Sequence, residues 1–166
     1  RIHVALRGGR GLAPFELDAK TEPRRSEICD LPRGLAYDAK RDRLYVACAE
    51  GKVVRVDPAT GVPQLKVELG RDLRDVVYRE SGLFVTRFRS AEVVQLDPDS
   101  GATIEVRTPP DATRAEFDSN PFLACGSDSA RPLSARAVQS SADVAWRTVD
   151  VPGRGLAMLH QRAQAG

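Results

Sequence analysis

The sequence predicts an all-β fold of repeated antiparallel sheets, and three observations carry that prediction. First, "VVRVDPATG" (53–61) and "VVQLDPDSG" (93–101) spell nearly the same strand and turn twice, with Asp57 and Asp97 40 residues apart. Second, each is preceded by another alternating strand and a short polar turn, in "RLYVACAEGK" (43–52) and "GLFVTRFRSAE" (82–92). Third, each is followed by one more alternating stretch, "PQLKVEL" (63–69) and "ATIEVRT" (102–108). Alternation of apolar and polar residues is the mark of a half-buried strand.

The turn chemistry is specific. In both copies an aspartate can accept hydrogen bonds from the amides that follow it. Pro58 and Pro98 preset φ at the next position, and Gly61 and Gly101 can take positive φ at little cost. Upstream lie "RGLAYDAKRD" (33–42) and "RDVVYRESG" (74–82), each a strand and a polar turn, with Tyr37 and Tyr78 in equivalent places. One unit is therefore four antiparallel strands in about 40 residues, the size and pattern of a β-propeller blade.

The stretch "LPRGLAYDAKRDRLYVACAEGKVVRVDPATG" (31–61) resembles repeats of the YVTN/NHL-like β-propeller families, most closely over "LYVACAEGKVVRVDPATG". The resemblance covers 31–108 well and 1–30 and 145–161 more loosely. It divides the chain into a partial blade (1–30), two whole blades (31–70 and 71–110), an irregular insertion (111–143) and a further partial blade (144–166). The insertion is rich in Ser, Ala, Asp and Arg, with room for one weak strand around 117–125. Closed propellers have about four to eight blades. The expectation is an incomplete ring that another polypeptide completes; the alternative is a compact ring made by this chain alone.

Bulk composition narrows the function classes. The 166 residues are 42% hydrophobic, with 25 basic and 23 acidic residues and a net charge of +2. This balance gives no basic excess for nucleic acid, and no apolar run reaches the length of a membrane span. The chain opens at Arg1 without a Met, which suggests a processed piece whose targeting segment is gone.

Three cysteines are present: Cys29, Cys48 and Cys125. A hairpin of 33–38 with 43–48, turning at 39–42, sets Cys48 opposite Arg33 and beside the segment carrying Cys29. Either these two form a disulfide, which implies a periplasmic or extracellular location, or they pack as buried thiols. Cys125 is left over. CxxC, CxxCH and zinc-ligand spacings are all absent from the sequence.

No catalytic set stands out, and no metal site. His3 and His160 occupy alternating strand positions and read as packing residues. "GGRG" (8–11) reads as a hairpin turn rather than a phosphate loop. One constellation invites a binding role. Arg33 and Arg74 begin equivalent inner strands, and Trp146 and Arg147 fall in the matching region of the last partial blade. Arginines converging on the mouth of a propeller channel would bind an anionic group, such as a carboxylate, a phosphate or a haem propionate. Alternatively they pair with neighbours such as Asp75 and Asp30.

Three functions follow as expectations. The first is a non-catalytic scaffold or binding module with no cofactor of its own. The second, implied by the resemblance, is the propeller part of a redox protein whose c-type haem or quinone cofactor lies on a partner chain. The third is a lactonase-like hydrolase, for which no matched catalytic residues are found.

Overall fold

The computed structural model describes residues 1–18, 23–117 and 135–164. Two complete blades form its centre. One contains β4 (Pro32–Asp38), β5 (Arg43–Cys48), β6 (Lys52–Val56) and β7 (Pro63–Glu68), hydrogen-bonded in that order. The next repeats it with β8 (Leu73–Arg79), β9 (Gly82–Arg87), β10 (Val93–Leu96) and β11 (Thr103–Arg107). Before them stands a three-stranded sheet of β1 (Ile2–Leu6), β2 (Gly11–Phe15) and β3 (Ser26–Glu27), with one 3₁₀ turn at Arg7–Gly9. After them come β12 (Ala112–Phe117), β13 (Ala135–Val151) and β14 (Gly155–Gln164), in the order β12-β13-β14. Every strand pair is antiparallel. The chain is an arc of β-propeller blades, and among the described residues no helix is long and apolar enough to cross a membrane.

The repeated turns form as their residues dictate. Asp57 Oδ1 accepts from the amides of Ala59 (2.9 Å) and Thr60 (2.8 Å), and the Gly61 amide donates to the Asp57 carbonyl at 2.8 Å. Asp97 does the same with Asp99 (3.1 Å) and Ser100 (2.7 Å), and the Gly101 amide donates to its carbonyl at 2.9 Å. These bonds, chiefly from the Thr60 and Ser100 amides, hold both carboxyls below the usual aspartate range.

Packing between blades explains why β5 is apolar on both faces. Leu44, Val46 and Cys48 point toward the first sheet and meet Leu12 and Ile28, together with Val54 and Val56 of β6. Tyr45 and Ala47 point the other way, onto Leu73, Val76, Leu83 and Val85 of the next blade. Tyr45 stacks on Tyr78, ring centroids 6.1 Å apart, and its hydroxyl donates to the Pro98 carbonyl at 3.2 Å. Fully burying a large apolar side chain stabilises by about 1.5–3 kcal/mol, so these interfaces hold the arc together. The outer strand β11, exposed throughout, adds little.

The inner strands β4, β8 and β13 lie side by side, with β8 packed between the other two. Gly34 permits the approach of β4 to β8, because a Cβ there would lie 2.7 Å from the Val76 nitrogen and 2.8 Å from the Asp75 Cα.

The sequence expectations meet the structure at several points. Cys29 and Cys48 are disulfide-bonded, with Cα atoms 6.3 Å apart, joining the end of the first sheet to β5. The hairpin register differs by one residue. Cys48 pairs with Pro32 and Ala47 with Gly34, so Arg33 is bulged out between them. The stretch 111–143, expected to be irregular, carries regular strand at both ends. β12 pairs with the first part of β13, from Ala112 opposite Ser140 to Phe117 opposite Ala135. The weak strand expected around 117–125 and the leftover Cys125 fall almost wholly outside the described residues. Residues 145–160, expected to begin a further blade, pair antiparallel as the later part of β13 with β14.

The two ends of the arc are not alike. In the first sheet β1 is equivalent to β5 and β9, and no described strand occupies the inner position that β4 and β8 fill in their blades. A cleft of about 480 Å³ opens beside His3 and Tyr37, where the next interface is filled by the stacked Tyr45 and Tyr78. The outward face of this sheet carries Ile2 (51% exposed), Val4 and Phe15 (41%). That of the last sheet carries Val149 and Leu159 (68%).

Candidate functional site

Three bulges build the site. The extra residue between Pro32 and Gly34 is Arg33. The register shift between Leu73 and Val76 contains Arg74 and Asp75. That between Ala145 and Arg147 contains Trp146. A β-bulge re-aims the side chain it carries; Arg33 and Arg74 lie at the start of β4 and β8, and Trp146 lies within β13 where it packs on β8. Backbone bonds tie these regions together. The Asp72 amide donates to the Ala49 carbonyl at 2.7 Å, and the Ala145 amide to the Phe88 carbonyl at the same distance.

Of the four residues expected at the channel mouth, Arg33, Arg74 and Trp146 lie around Phe88. The guanidinium carbon of Arg33 lies 5.8 Å from the centre of the Phe88 ring, and that of Arg74 lies 5.5 Å from it. Trp146 meets the same ring edge-on, centroids 5.4 Å apart. Arg74 Nε donates to the Trp146 carbonyl at 3.1 Å. A cation over an aromatic face is attracted to the ring's quadrupole, so Phe88 gathers two guanidinium groups that would otherwise repel each other.

Arg147 has a different role from the other two arginines. Its Nη1 donates to Asp75 Oδ1 at 3.2 Å, while the Thr148 amide donates to Asp75 Oδ2 at 2.8 Å. Asp75 is nearly buried and its own amide donates to Thr86 Oγ1 at 3.2 Å. This pair clips β13 to β8. Asp30 bonds Arg10 instead of any site arginine.

Arg33 is the least satisfied of the cluster. Its side chain is only 17% exposed, and its Nε and Nη1 are buried with no hydrogen-bond partner among the described residues. Its one ion pair among the described residues, Nη1 to Asp72 Oδ1, is long at 3.8 Å. Asp72 is also engaged by the Arg89 amide at 3.0 Å and by Arg89 Nε at 3.7 Å. Burial first, then the positive fields of Arg7 and Arg74, lower the pKa of Arg33, and Asp72 offsets this only in part. A guanidinium nevertheless stays charged, so the start of β4 and β8 is a partly desolvated, electropositive patch.

Phe88, Arg7 and Asp72 were not legible as site residues. Phe88 occupies the position that Ala49 holds in the preceding blade: their amides donate to Asp72 and Leu31 respectively, at 2.8 and 2.9 Å. That departure from the repeat was the available signal.

Among the described residues, other groups of reactive side chains do not form comparable sites. Cys29, Cys48 and Glu50 lie together, yet the sulfurs are bonded to each other. The Glu50 oxygens accept the Asp30 amide (3.0 Å) and the Leu31 amide (3.3 Å). The donor set is spent, and it does not suit a metal. His3 Nδ1 is buried without a partner among the described residues, and burial, then Arg1, lowers the pKa of the ring.

No family model matches the sequence, and no curated protein matches it. Solved structures do match in fold. A chain of the nidogen/laminin complex is 19% identical, with a TM-score of 0.51 over 60% of this chain and 38% of that one. Sqt1 of Saccharomyces cerevisiae is 10% identical, with a TM-score of 0.53 over 81% and 36%. The glutaminyl cyclase of Myxococcus xanthus is 13% identical, with a TM-score of 0.50 over 87% and 62%. The chain thus spans less than two thirds of each, and at these identities the likeness is one of fold: this is β-propeller architecture.

Proposed function

We propose that this chain is a non-catalytic scaffold and binding module of YVTN/NHL-like repeats. It would work outside the cytoplasm and form one arc of a ring completed by blades from another polypeptide. The observation that carries this reading is the inner position beside β1, which no described strand occupies. In both complete blades that position holds a strand, and the cleft at His3 and Tyr37 has the place of an interface that is packed one blade further on. The outward apolar faces at Ile2, Val4 and Phe15 and at Val149 and Leu159 support it, since a further blade would cover each as the described blades cover one another. The Cys29–Cys48 disulfide supports an oxidising compartment.

Native and denaturing mass spectrometry of the purified protein tests the reading. A complex containing a second polypeptide beside the 18.1 kDa chain is expected. A single species of that mass, monomeric under native conditions, would overturn it. A Soret band in the same sample would instead make the module part of a haem protein.

A further inference from the structure

We propose that the Phe88 cluster binds a doubly charged oxyanion, a phosphate monoester or a dicarboxylate, through Arg33 and Arg74 with Arg7 alongside. This deepens the reading of the chain as a binding module and rests on it. The argument starts from charge. The like charges of Arg7 and Arg74 act on Arg33, and Asp72, its Oδ1 3.8 Å from Arg33 Nη1, is the carboxylate that opposes them there. Asp72 is shared with Arg89, while Asp75 is committed to Arg147 and the Thr148 amide. The local positive charge therefore exceeds what a single carboxylate ligand would neutralise, and a dianion fits it better.

Hydrogen bonding points the same way. The buried Nε and Nη1 of Arg33 lack hydrogen-bond partners among the described residues. An unpaired buried donor on a charged group is costly, and a ligand oxygen would remove that cost. Arg74 spends its Nε on the Trp146 carbonyl, which fixes the guanidinium plane. Phe88 lies against both guanidinium groups and holds them in place before any ligand arrives. Trp146 is half exposed beside them and offers a flat apolar wall to whatever carries the anionic group.

Isothermal titration calorimetry of the intact protein with inorganic phosphate, succinate and acetate, at matched ionic strength, tests the proposal. Phosphate or succinate should bind about tenfold or more tightly than acetate, and whichever of the two binds better identifies the head group. R33Q and R74Q should each weaken that binding about tenfold, the loss of one charge-assisted bond. R154Q, on an exposed turn away from the cluster, should leave it unchanged. R33K keeps the charge without the planar fork and should fall between wild type and R33Q, which keeps the test open if R33Q does not fold. Equal, weak heats for all three anions would overturn the proposal, as would binding insensitive to R74Q. Native mass of the same sample shows separately whether the ring is complete, so loss of the site and loss of the arc are read apart.

Discussion

The disulfide offers the most quantitative test of how the arc is held together. Cys29 follows β3 and Cys48 ends β5, so the bond closes a loop with a sequence separation of 19 residues. Loop-closure entropy for that length is about 3 kcal/mol at room temperature in the chain-entropy account. For a chain of this size the same change corresponds to about 6–12 °C in Tm. Reduction is the cleanest perturbation, because the buried Cys48 sulfur stays among Leu44, Val46, Val54 and Val56 and the packing is retained. The double variant C29A/C48A removes both sulfurs as well and should lose about 1 kcal/mol more. Urea titration with and without reductant, followed by the fluorescence of Trp146 and by circular dichroism, reads the difference. Trp146 is the sole tryptophan and reports on the last sheet, so coincident curves would also establish a single transition. A change below about 0.5 kcal/mol on reduction would refute the reasoning, for the bond would then not be restraining the first sheet against β5.

Two further substitutions probe the inner strands. G34A should destabilise by about 1–3 kcal/mol, since its methyl would meet the backbone of Asp75 and Val76 rather than a movable side chain; a neutral urea midpoint would contradict the close approach of β4 to β8. Asp38 is fully buried, and burial pushes its carboxyl up, but bonds from Arg41, Tyr78 and the amides of Lys40 and Arg41 outweigh this and hold it below its ordinary value of 3.8. A folded value below the unfolded one means that its contribution is complete above the unfolded value and is lost as pH falls through the folded one. D38N should therefore cost about 2 kcal/mol near neutral pH, with the gap from wild type closing in acid; a gap that widened as pH fell would be wrong in sign.

What could be read from the sequence, and what could not, follows from how local each signal is. The Asp57 and Asp97 turns were legible because each is completed within five residues, by its own aspartate, proline and glycine. Arg33 and Arg74 were legible because the repeat places them at the same point of the same strand. Their bulges were not, which is why Arg33 was set opposite Cys48 where the structure pairs Pro32. The strands at 112–117 and in the first part of β13 were missed because Ser, Ala and Arg give weak alternation there, and each depends on its partner for its conformation. Phe88 gave no local sign, since its role comes from two guanidinium groups that the neighbouring blades bring to it.

The proposed ring requires a strand of another polypeptide to pair with the free edge of β1. Hydrogen–deuterium exchange along β1 in the intact protein tests this most directly. The amides of Ile2–Leu6 that do not face β2 should exchange as slowly as those of β5, which is paired on both sides. Rapid exchange of those amides, as from an open sheet edge, would contradict the account.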